Sequence, residues 1–166
     1  MRPALPADAE GIGEAHAEAW RIGYGGLFTA DELRSAVEVR RGMWSGLVGG
    51  QALGGTLLVS EDGGTVSGFV HFGARAEDDQ HGEVYGLYVH PSWWGTGSAQ
   101  ALMDEAVASL TPFFDVAVLW THVAAARARR FYAKSDWSQT GNHRRESTWD
   151  GLEYPAVEYQ RILSAT

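Results

Sequence analysis

The sequence predicts a single α/β domain. Helical periodicity in the first third gives way to strand periodicity from Thr56 onward. An apolar run ending at Val89 then hands over, through His90-Pro91 and closely spaced glycines, to an amphipathic helix. No linker-like tract or internal repeat divides the 166 residues, a length that buries a sizeable core in one domain.

Taken in order, Pro6-Ala7-Asp8 precedes a helix from Ala9 to Trp20, with Ile12, Ala15, Ala19 and His16 on its inner face. Gly23, Gly25 and Gly26 mark a loop. Thr29-Ala30-Asp31-Glu32 is a capping box, so a second helix starts after Thr29 and runs in pieces towards Val48. Thr56 to Ser60 and Thr65 to Ala74 form a hairpin around Glu61-Asp62-Gly63-Gly64. A polar loop, Glu77 to Gly82, leads to a third strand at Glu83 to Val89. The helix Gly97 to Leu110 follows, with Leu102, Ala106 and Leu110 on one stripe. Asp115 to Val123 is apolar and β-branched, as suits a central strand, and Ala124 to Lys134 is a short helix with three arginines. Asn142 to Thr148 and Glu153 to Leu163 flank Trp149-Asp150-Gly151 as a C-terminal hairpin.

Composition narrows the function. An apolar fraction of 45% with seven tryptophans excludes a disordered chain, and the lack of cysteine excludes thiol nucleophiles, disulfides and thiolate metal sites. No histidine pairs with another histidine or a carboxylate at metal-ligand spacing, so no metal is expected. The net charge of −8 argues against nucleic-acid binding and favours a cationic substrate. No stretch reaches membrane-spanning length and the N-terminus lacks the pattern of a signal peptide, so a cytoplasmic protein is expected.

The segment Tyr85 to Met103, YGLYVHPSWWGTGSAQALM, is a strand, a glycine turn and a helix start. The first N–H groups of a helix lack partners and lie at the positive end of its dipole, so the turn suits a phosphate or pyrophosphate. No lysine follows the glycines, which excludes a Walker loop.

The order of elements, the run W-G-T-G-S-A at Trp94 to Ala99 and the run A-A-R-A-R-R-F-Y at Ala125 to Tyr132 resemble the GCN5-related N-acetyltransferase superfamily over nearly the whole chain. W-R-x-x-Y-x-G-L from Trp20 is similar to a bacterial subset acting on small molecules, polyamines among them. The resemblance implies a mixed, mostly antiparallel sheet of six or seven strands, with splayed central strands and about four helices. It implies acetyl-CoA as cosubstrate, its pyrophosphate on the amides of Gly95, Thr96, Gly97, Ser98, Ala99 and Gln100. The pantetheine arm would pair with Leu87, Tyr88 and Val89. Two positions depart from the family pattern: Trp94 stands where Gln or Arg is usual, and Ala125 where Asn is usual.

The resemblance also implies Tyr132 as general acid towards the departing thiolate; the competing reading is a packing tyrosine. Glu83 is the first candidate base for the acceptor ammonium, against a solvating residue at a strand edge, with His71, His81 and His90 as alternatives. Trp20 and Tyr24, one helical turn apart, are candidate walls of the acceptor pocket. The expected activity is acetyl transfer to a primary amine by direct attack in a ternary complex. The rival is a non-catalytic acyl-CoA sensor or assembly module. A homodimer is expected, with Asn142 to Leu163 as its contact.

Overall fold

A computed structural model describes residues 1–49, 53–78, 80–148 and 150–163. Seven strands form one sheet: β1 (Arg2–Pro3), β2 (Thr56–Asp62), β3 (Thr65–Ala74), β4 (Gly82–Val89), β5 (Val116–His122), β6 (Ser138–Ser147) and β7 (Glu153–Ile162). Their order across the sheet is β1-β2-β3-β4-β5-β7-β6. Every neighbouring pair is antiparallel except β4 and β5, which run parallel. Four helices complete the domain: α1 (Ala9–Gly23), α2 (Ala30–Gly42), α3 (Ser98–Leu110) and α4 (Ala126–Lys134).

Period-two alternation decides which helices each strand meets. Leu58, Val70 and Leu87 face the layer built by Leu102, Met103, Ala106 and Leu110 of α3 with Tyr132 of α4. Their chain neighbours Val59, Phe69 and Tyr88 face Ile12 of α1 and Trp44. The sheet is thus covered on both sides, a three-layer sandwich. Thr29 closes α2 as its sequence requires: its Oγ1 accepts from Glu32 N–H, and the Glu32 carboxylate accepts from Thr29 N–H at 2.9 Å.

Several boundaries differ from the sequence reading. The first helix continues to Gly23. The second runs in pieces, as expected: α2 ends at Gly42 and a 3-10 turn follows at Met43–Gly46. The short β1 was not expected. β6 begins four residues before Asn142, behind a register irregularity between Gln139 and His143. Of the expected Trp149-Asp150-Gly151 turn, Trp149 lies outside the described residues.

Candidate active site

β4 and β5 pair only over Gly82, Val84 and the residue between them, opposite Ala117 to Leu119, and then separate. Past that point β4 keeps β3 on one side and, among the described residues, has no strand on the other. His90 N–H donates to Ser67 O on β3 at 2.9 Å. Strand alternation therefore turns the N–H and C=O groups of Leu87 and Val89 to the open side. A bulge leaves Tyr85 as the extra residue, since His71 is opposite Gly86 while Phe72 is opposite Val84. The gap opens into a cleft of about 710 Å³.

One end of the cleft is the glycine turn. After a 3-10 turn at Pro91–Trp93, Gly95 and Gly97 take φ of 84° and 92°, values that a side chain would strain. Ala101 N–H is bonded to Gly97 O, which leaves the first amides of α3 (Ser98, Ala99 and Gln100) without helical partners. Gly95, Gly97, Ala99 and Gln100 line the cleft. The side chains of Thr96 and Ser98 do not line it; their hydroxyls meet each other at 2.8 Å and stiffen the turn. The Gln100 amide bridges Asp104 and Ser135, both at 2.8 Å, and ties α3 to the end of α4.

Trp94 is engaged inside the fold. Its indole N–H donates to Val89 O at 2.7 Å, and Arg127 lies over its ring with the guanidinium carbon 4.0 Å from the centroid. Arg127, Arg130 and Lys134 all line the cleft, which gives this end a positive wall. A shaped cavity, free amides at a helix start and unpaired strand groups fit a pyrophosphate with a pantetheine tail.

Tyr132 reaches the cleft from α4. It is buried, and burial pushes its hydroxyl well above the ordinary phenol range, so the hydroxyl stays protonated. Arg129 fixes the helix beneath it, donating to Val123 O at 2.7 Å, to Gln139 Oε1 at 3.0 Å and to the Tyr159 hydroxyl at 3.2 Å. Ala125, at the family's asparagine position, is buried. The turn there is held by His122 instead, whose Nδ1 accepts from Ala124 N–H at 2.9 Å.

The cleft is also lined by Tyr24, Glu83, Tyr85, Trp120, Arg144, Glu146 and Tyr154. Glu83 is buried, and burial pushes its carboxyl upward while Arg144, 3.9 Å away, pulls it down. The two aromatic candidates from the first helix separate. Tyr24 lines the cleft, whereas Trp20 stands behind it, stacked on its ring at 4.2 Å and covered by Arg40. Trp20 therefore supports the wall without forming it.

None of the three alternative histidine bases lines the cleft. His71 bonds Gly54 O, His81 pairs with Asp78, and His90 accepts from Ser92 N–H. Sequence reasoning missed Trp120, Arg144, Glu146 and Tyr154. The only trace of the first charged pair was the spacing R-x-E, which puts Arg144 and Glu146 on one side of a strand.

Among the described residues no helix is long and apolar enough to cross a membrane. Comparison with solved structures gives the same fold at low identity. The PaiA N-acetyltransferase of Thermoplasma acidophilum, solved in complex with coenzyme A, is 18% identical with a TM-score of 0.71, over 97% of this chain and 96% of that one. A GCN5-related N-acetyltransferase from Rhodopseudomonas palustris is 18% identical with a TM-score of 0.73, over 97% and 93%. The yncA protein of Salmonella typhimurium, solved with its cofactor acetyl-CoA, is 23% identical with a TM-score of 0.66, over 99% and 94%. No curated protein matches the sequence. The model of the acetyltransferase (GNAT) family matches residues 18–137, most of the chain, and the protein belongs to that family.

Proposed function

We propose that the protein transfers an acetyl group from acetyl-CoA to a primary amine by direct attack in a ternary complex. The observation that carries this reading is the continuity of one cleft. It runs from the free amides of α3, past the open-side backbone of Leu87 and Val89, where Trp94 caps the Val89 carbonyl, to Tyr132 and Glu83. Acetyl-CoA supplies, when bound, an acetyl group activated as a thioester. The amides of Gly95, Gly97, Ser98, Ala99 and Gln100 hold its pyrophosphate, with Arg127 adding charge beside them; the expected Thr96 N–H is instead bonded to Trp93 O at 3.4 Å. The strand Leu87-Tyr88-Val89 guides the pantetheine arm, and its open-side N–H groups polarise the acyl carbonyl.

An ammonium must lose a proton before it can attack. Glu83, buried beside Arg144, accepts it, and Tyr132 returns one to sulfur. Orientation in the cleft supplies much of the remaining acceleration. The acceptor is a cationic small-molecule amine of the polyamine type, received between the rings of Tyr24, Trp120 and Tyr154 and the carboxylates of Glu83 and Glu146. The unpaired outer edge of β6 leaves the C-terminal hairpin as the contact for a homodimer.

Release of free CoA is measured with a panel of polyamines, amino acids, aminoglycosides and peptides. Turnover is expected with cationic amines. Tyr132→Phe should lower kcat by about a hundredfold and leave the affinity for CoA as it was; unchanged turnover would sink the general-acid assignment. A second reading, an acyl-CoA sensor without catalysis, is supported by the two departures from the family pattern, Trp94 and Ala125. Calorimetric CoA binding without transfer to any amine of the panel would decide for it.

A further inference from the structure

Arg144 shares the cleft wall with Glu83, yet no motif marks it. Its guanidinium rests over the Trp120 ring, 4.1 Å from the centroid. Nε and Nη2 meet Glu146, Nη1 donates to Glu77 at 3.0 Å, and Nη2 lies 3.9 Å from Glu83 Oε1. Glu77 also pairs with Arg75 at 3.5 Å, and Arg75 with the buried Glu158 at 3.1 Å. Every nitrogen of Arg144 thus faces a carboxylate of the chain itself. It is not free to clamp a carboxylate on the acceptor.

We propose that Arg144 is a positioning residue for the base: fixed over Trp120 between Glu77 and Glu146, it holds the Glu83 carboxylate ionised on the acceptor side of the cleft. The inference rests on Glu83 being that base. The charged and titratable groups facing Glu83 are Arg144 and Glu146 from β6, Arg75 and Glu77 from the segment after β3, and Tyr85 on its own strand. Remove Arg144, and Glu83 sits buried beside two like charges with only Arg75 to offset them. Burial and like charge both favour the neutral acid, which cannot accept a proton.

The test is a carbon-13 NMR titration of the side-chain carboxyls in the full-length protein, with E83Q identifying the Glu83 signal. In R144Q the Glu83 titration should move up by about one pH unit. In R144K, which keeps the charge, it should return towards the wild-type position. R144M, which keeps the apolar stem over Trp120, serves in place of R144Q should that variant not fold. An unmoved titration in a folded variant overturns the proposal. Failure of the underlying reading has a different signature: E83Q acetylates an amine at the wild-type rate while the R144Q titration still moves. That result removes Glu83 as the base and, with it, the role given to Arg144.

Discussion

Trp94 turns a departure from the family pattern into a structural device. A carbonyl on the open side of β4 has no strand to bond, and the indole N–H of Trp94 caps it at Val89. The same ring carries Arg127 to the mouth of the amide cradle. Trp94→Ala removes both contacts, a hydrogen bond and a cation–π pair each worth about 1 kcal/mol. The dissociation constant for CoA is then expected to rise about tenfold or more in calorimetry; a value within about twofold of wild type would show that the cradle holds without them. The glycine-turn end of the cleft was legible as geometry because its parts are contiguous: Trp94 to Gln100 is one turn and one helix start, and Tyr132 closes one short motif. The rest of the cleft was legible only in part. Tyr24 and Glu83 were named, but Trp120, Arg144 and Tyr154 were not: the five come from five separate elements or loops, and alternation gives the face of a strand but not its neighbours.

At the scale of elements, α1 and α2 touch where α1 has no side chain. A Cβ built on Gly13 would lie 2.2 Å from the Arg41 carbonyl oxygen, so the backbones are closer than any other residue allows. Gly13→Ala should cost about 1–3 kcal/mol, read as a lower midpoint in urea unfolding; an unchanged midpoint would mean that the helices have room to part. Tyr24, at the end of α1, would shift with the helix, so the proposed acceptor wall is the part of the cleft expected to suffer first. Helix starts were readable because caps are local chemistry, as at Thr29 and Glu32. Inner strands were readable because two-sided burial leaves continuous apolar runs, as in Ala117 to Leu119. The edges were not. β1 has only two residues, and the first residues of β6, Ser138 and Gln139, are exposed and polar, so neither edge leaves a hydrophobic signature.

For the molecule as a whole, the splayed sheet places a carboxylate where stability and the proposed activity oppose each other. Burial raises the Glu83 carboxyl, so the folded protein holds that proton more tightly than the unfolded chain does. Below the ordinary carboxylate range the proton is on in both states and the contribution of Glu83 to stability is complete. As pH rises through its elevated folded value, that contribution is lost. At neutral pH the fold therefore carries a buried anion that Arg144 offsets only in part, from 3.9 Å and without a hydrogen bond. Glu83→Gln removes the charge and keeps the shape. Its unfolding free energy should exceed that of wild type at neutral pH and fall back to meet it below about pH 4, while amine acetylation is lost. Denaturant titrations of both proteins across that range check the sign. A difference of the same size at both ends would mean that the substitution acts through packing, and that the buried charge carries no cost in this fold.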